Sequence, residues 1–107
     1  MSTKVFFTDL DGTLLNDQKE ITPGNQAAID EALCRGHKVV ITTGRPLASA
    51  RIQAERLGLT KEGCYIVTYN GGQIYDPYHK KTLYGKPISR KLVTPIFAEA
   101  HRRGLYI

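Results

Sequence analysis

The sequence is poor in cysteine. Cys34 and Cys64 stand alone, without the C-x-x-C spacing of a zinc or redox site, and are expected to be two buried thiols. Long hydrophobic runs are also missing: stretches such as Val39-Val40-Ile41 are far too short to span a bilayer. Acids arrive before any signal-type apolar stretch could form, so the expectation is a protein of the reducing cytoplasm with no membrane partner. Charge is not clustered either. Fifteen Lys and Arg against ten Asp and Glu leave a net charge of +5, but the basic residues are scattered from Lys4 to Arg103 in no run longer than a pair. This bias suits an anionic substrate. A nucleic-acid partner would need a clustered stripe, with interleaved aromatics for single strands, and none is expected.

What is present is an ordinary globular composition, 41% apolar and 23% charged over 107 residues, without repeats or low-complexity stretches. Lys4 to Thr8 reads K-V-F-F-T, a strand expected to be buried on both faces of a parallel sheet. Thr22-Pro23 offers an N-cap and a first-turn proline for a helix over 23–35, with Ala28, Ile29, Ala32 and Leu33 on its apolar face and Gly36 at its left-handed end. His37 and Lys38 lead into a second buried strand, V-V-I-T-T. A second helix follows, with Leu47, Ala50, Ala54 and Leu57 three and four apart, closed by Gly58.

Cys64 to Tyr69 predicts a third strand, Asn70-Gly71-Gly72 a tight turn, and the segment around Asp76-Pro77 a hairpin of two short strands. Gly85-Lys86-Pro87 reads as a linker. Ser89 can cap a third helix with Leu92, Val93, Ile96, Phe97 and Ala100 facing inward, and Pro95 predicts a kink or a late start. Leu105-Tyr106-Ile107 reads as a strand just begun, so a truncated chain is expected, with a natural chain ending in a short edge strand as the alternative. The alternation places the chain in the α/β class, with a parallel sheet and right-handed crossovers.

The chemistry concentrates at strand ends. Asp9 and Asp11 directly follow the first strand, where ligands of open α/β sheets bind, and Gly12 lets the backbone turn away. A bare D-x-D also occurs in ordinary turns. The second strand ends Thr42-Thr43-Gly44-Arg45 and runs into a helix, whose free N–H groups, with the Thr43 hydroxyl and the Gly44 amide, make a small anion site; capping by Thr43 alone is the other reading. Carboxylates repel phosphate, so the two belong in one pocket only with a cation between them, and oxygen ligands indicate Mg2+. One carboxylate can then attack phosphorus while the other serves as general acid.

D-L-D-G-T-L-L, then I-T-T-G-R-P about thirty residues on, then Y-N-G-G, resembles the haloacid dehalogenase superfamily and within it the Cof-type sugar-phosphatase group. The resemblance covers nearly the whole chain. It implies a Rossmann-like three-layer α/β/α core whose N-terminal part is residues 1–84, with 85–107 as linker and opening of an α/β cap. It implies Asp9 as nucleophile, Asp11 as acid and base, and Mg2+ held by the Asp9 carboxylate and the Asp11 carbonyl. The Leu10 N–H, Thr43 and the Gly44 N–H would hold the phosphoryl group, with Arg45, Asn70 and Gly71 as pocket neighbours. The implied activity is hydrolysis of small phosphorylated metabolites, sugar phosphates above all.

The family's lysine and its later G-D-x-x-N-D acids are not matched: Asp17, Asp30 and Asp76 are expected in surface loops or a helix, and Lys80 and Lys81 in solvent. These 107 residues alone are therefore expected to be inactive and prone to self-association through an open sheet edge. A non-catalytic phosphate-binding module is the alternative. A receiver-type switch is disfavoured, because it carries its phosphorylated acid on a later strand. The tyrosines at 65, 69, 75, 78 and 84 read as strand residues, and His37, His79 and His101 receive no role.

Overall fold

In the computed structural model, which describes residues 2–106, two strand-helix-strand units set down three parallel strands in chain order. β1 (Val5–Thr8) leads through α1 (Pro23–Cys34) to β2 (Lys38–Thr42), and β2 through α2 (Leu47–Leu57) to β3 (Ile66–Thr68). Local signals account for the helix limits. The Thr22 hydroxyl accepts from the Asn25 amide at 3.3 Å and Pro23 takes the first turn, while Gly58 closes α2 at φ 74°. The register is parallel from Val5 opposite Lys38 through Thr8 opposite Ile41, and Ile41 lies opposite Ile66.

The sheet does not stop there. β4 (Gln73–Asp76) turns back antiparallel on β3, and β5 (Lys81–Gly85) pairs antiparallel with β4, giving the order β1-β2-β3-β4-β5. The expected hairpin thus extends the expected parallel sheet into a mixed one. Its turn is held by Asp76, which is 3% exposed and accepts from the amides of Tyr78 and His79 at 3.0 and 3.1 Å. The surface-loop reading of Asp76 is corrected: an acid that satisfies turn amides can be buried.

Leu57, Leu59, Ile41, Ile66 and Cys64 are almost fully buried and form the core with Leu10, Leu14, Leu15 and Ile29. Of the two helices against it, α1 buries only Ile29, whereas α2 buries Ala50, Gln53, Ala54 and Leu57. Each fully buried aliphatic side chain contributes about 1.5–3 kcal/mol, so α2 is the firmer anchor, and it starts just after the carboxyl end of β2. Cys64 is buried as expected, but Cys34 is exposed at the last turn of α1, on the side away from Ile29.

Two apolar expectations fail. β1 was read as buried on both faces, yet Val5, Phe6 and Phe7 are 50–62% exposed, because β1 is an edge strand paired only with β2 among the described residues. α3 (Arg90–Arg102) begins on time at the Ser89 cap and continues through Pro95, without the late start that Pro95 suggested. Its residues Leu92, Ile96 and Phe97 are exposed and only Ala100 is buried, so the face expected to point inward has no core to meet. Leu105 and Tyr106 form no strand, and Ile107 lies outside the described residues.

Candidate active site

The carboxyl ends of all three parallel strands meet at one edge of the sheet. After Thr8, the loop alternates outward acids with inward leucines: Asp9 is exposed, Leu10 fully buried, Asp11 partly exposed, and Leu14 and Leu15 buried. Gly12 turns the chain at φ 77°, and the amides of Thr13 and Leu15 both donate to the Leu10 carbonyl, at 3.2 and 2.9 Å. Burial of the leucines thereby fixes which way the acids point. The Leu10 amide donates to Asp9 Oδ1 at 2.7 Å, so here it steadies the carboxylate.

The loop after β2 is tied to β3. The Thr43 amide donates to the Val67 carbonyl at 2.9 Å, and Thr43, 6% exposed, accepts from the Arg45 amide through its hydroxyl oxygen at 3.1 Å. Pro46 occupies the N-cap of α2 and supplies no side-chain cap. The capping alternative for Thr43 therefore fails, and its hydroxyl hydrogen is available to a ligand.

β3 ends in two successive left-handed residues, Tyr69 at φ 52° and Asn70 at φ 55°. Each costs on the order of 1 kcal/mol or more outside glycine. They are held by hydrogen bonds from the Tyr69 amide to the Arg45 carbonyl (3.2 Å) and from the Asn70 amide to the Thr43 carbonyl (3.1 Å). The result is a cavity of about 440 Å³ lined by Asp9, Thr43, Gly44, Asn70 and Gly71, with Thr42 and Val67 behind. Five of the eight residues singled out by sequence share it. A second, mostly apolar crevice of about 640 Å³ lies on the other side of the same turn, between Tyr69, Gln73 and the segment 85–88.

Asp11 and Arg45 do not line the cavity; they meet beside it. Arg45 Nε donates to Asp11 Oδ2 at 2.8 Å and Nη2 to Oδ1 at 2.7 Å, and Lys19 Nζ stands 3.2 Å from Oδ1. The Arg45 pair, opposed by partial desolvation and helped by Lys19, holds the Asp11 carboxyl well below the usual carboxylate range, and the Arg45 guanidinium is raised in return. Sequence reasoning missed Lys19 and Ser49, whose Oγ accepts from Arg45 Nη1 at 2.8 Å. The four-residue spacing of Arg45 and Ser49 could have suggested their pairing. Nothing local marks Lys19, because its contact spans a loop.

Asp9 and the backbone around Asp11 supply hard oxygen donors, the kind Mg2+ takes together with waters and phosphate oxygens. Among the described residues no group of three or more His, Cys, Asp or Glu side chains could hold a metal ion, so the fit is to part of a magnesium shell. No helix among these residues is long and apolar enough to cross a membrane.

The sequence model of a family described as haloacid dehalogenase-like hydrolase matches residues 6–107. A 5-amino-6-(5-phospho-D-ribitylamino)uracil phosphatase of Bacillus subtilis is 45% identical over 73 residues, which is 68% of this chain and 28% of that relative. A crystal structure of a haloacid dehalogenase-like hydrolase from Bacteroides thetaiotaomicron superposes with TM-score 0.86 at 30% identity, covering 94% of this chain and 38% of that one. A subclass IIB sugar phosphatase does so with TM-score 0.73 at 27% identity, over 95% and 37% of the two chains. The chain thus spans well under half the length of each of these relatives.

Proposed function

The chain belongs to the haloacid dehalogenase-like hydrolase family, and from that membership we propose that the protein is a magnesium-dependent phosphatase acting on small phosphorylated metabolites such as sugar phosphates. The observation that supports the reading is that Asp9, Thr43 and Gly44 line one cavity. Residues 1–84 would be the first part of the catalytic core, and 85–107 the linker and opening of a cap.

In this reading the free oxygen of Asp9 attacks phosphorus as the bond to the leaving oxygen breaks, and Asp11, once out of its pair with Arg45 and protonated from solvent, gives that oxygen its proton. Asp11 then takes a proton from water, whose oxygen attacks the aspartyl-phosphate and releases inorganic phosphate with Asp9 restored. Thr43 and the Gly44 amide hold the phosphoryl oxygens, with Asn70 and Gly71 closing the cavity wall. Mg2+, held by the Asp9 carboxylate and the Asp11 carbonyl, would screen the charge between acids and phosphate.

The test is Asp9→Asn in the complete polypeptide. Loss of turnover by about 10³-fold or more, with unfolding unchanged, is the expected result, and retained activity overturns the assignment. Metal-dependent phosphate binding without any turnover by the unaltered polypeptide would instead favour a binding module. These 107 residues alone, without the lysine and later acids of the family pattern, are expected to show little or no turnover.

A further inference from the structure

The ladder between β1 and β2 ends with Thr8 opposite Ile41, so Asp9 stands one residue beyond the last pair. A residue in that place is released from the sheet in both backbone torsions, and its direction has to be set by other contacts. Two threonine hydroxyls supply them. The Thr42 hydroxyl donates to the Thr8 carbonyl at 3.3 Å, and the Thr8 hydroxyl donates to the Asp9 carbonyl at 3.0 Å. Those carbonyls belong to the peptide planes immediately before and after the Asp9 Cα, so holding both restrains φ and ψ of Asp9. No backbone amide among the described residues donates to the Asp9 carbonyl, which leaves the Thr8 hydroxyl as its partner. The Leu10 amide then steadies the carboxylate itself, at 2.7 Å.

Neither hydroxyl is demanded by the strands. Valine has nearly the shape of threonine and suits a strand as well, so packing and strand preference call for no hydroxyl at either place. Thr8 is buried and lies off the cavity lining, whereas Thr42 is half-buried and on it. We propose that Thr8 and Thr42 are positioning residues that clamp the backbone on either side of Asp9 and so aim its free carboxylate oxygen at phosphorus. Attack needs that oxygen in line with the bond that breaks, and a small misplacement costs rate while leaving the phosphate contacts of Thr43 and Gly44 in place. The inference rests on the phosphatase reading above.

The experiment measures kcat/KM for p-nitrophenyl phosphate and Ki for inorganic phosphate, in magnesium-containing buffer, for the complete polypeptide and its Thr8→Val, Thr8→Ser, Thr42→Val and Thr42→Ser variants. Each valine should lower kcat/KM about three- to tenfold, the worth of one hydrogen bond, with Ki within about twofold of the parent. Each serine should restore it. Hydrogen exchange of the Leu10 amide, followed by NMR, should quicken in the valine variants while that of Val40 in β2 holds. Unchanged kcat/KM in both valine variants overturns the proposal, and so does a loss that serine leaves in place, which assigns the effect to packing. A raised Ki in Thr42→Val makes Thr42 a phosphate ligand and overturns its positioning role. Thr42, only half-buried, carries the test if Thr8→Val folds poorly. No turnover by the unaltered polypeptide removes the phosphatase reading and the proposal together, whereas normal turnover with unresponsive valine variants removes the proposal alone.

Discussion

Gly44 and Asn70 approach so closely that a Cβ on Gly44 would stand 2.9 Å from Asn70 Oδ1. The loops after β2 and β3 come together here, and the missing side chain is what lets the Asn70 amide reach the cavity wall. Because the clash falls on the far end of a side chain, Gly44→Ala should cost no more than about 1 kcal/mol of stability. It should nevertheless weaken phosphate binding or turnover several-fold by turning Asn70 aside. Parallel denaturant unfolding and phosphate titration check the split; a large stability loss with unchanged binding would contradict it.

The Arg45–Asp11 pair gives a pH signature. Its lowered carboxyl contributes stability that is present above the ordinary carboxylate range and is lost only as pH falls through the lower folded-state value. Followed by the 13C shift of its carboxyl carbon, Asp11 should stay ionised through pH 3–4, where free carboxyls titrate. Arg45→Met should return that titration toward the ordinary range, Lys19 alone being too exposed to hold it down.

Thr68 is fully buried at the end of β3, and its hydroxyl oxygen has no hydrogen-bond partner. An unsatisfied buried polar group costs about 1–3 kcal/mol, and valine has nearly its shape. Thr68→Val should therefore hold or raise the midpoint of urea unfolding. A fall of more than about 1 kcal/mol would show that the hydroxyl has a partner.

Burial alone would push the Asp76 carboxyl up, but the His79 amide, the His79 ring at 2.7 Å and the Tyr78 amide together bring it below its usual value. Its contribution to stability is thus present at neutral pH and is lost on acidification below the carboxylate range. Asp76→Asn should lower Tm at pH 7 and flatten the fall of Tm between pH 5 and pH 3, as read by circular dichroism. An unchanged acid limb would show that the hairpin turn does not depend on this charge.

Much of the molecule follows from short-range pattern. The V-V-I-T-T run, the Thr22-Pro23 start of α1, the Gly58 stop of α2 and the Asp76-Pro77 turn are each decided by neighbours a few residues away, and each element forms where those neighbours place it. The positions of Asp9, Thr43, Gly44, Asn70 and Gly71 at strand ends were equally readable, because parallel strands deliver their carboxyl ends to one edge. Other features depend on surroundings that no local pattern encodes. The apolar run of β1 signals a demand for burial but not whether anything meets it, so Phe6 and Phe7 stand exposed on an edge strand.

The sequence by itself determined which residues stand at the strand ends, because strand and helix signals act over a few residues. The tertiary structure alone decided what those residues touch. Arg45 reaches Asp11 across 34 residues, Lys19 comes back to the same carboxylate from a turn, and Asn70 packs over Gly44, because the parallel register of β1, β2 and β3 sets their loops side by side. Side-chain pairing at these distances depends on position in space, and spacing along the chain carries no record of it.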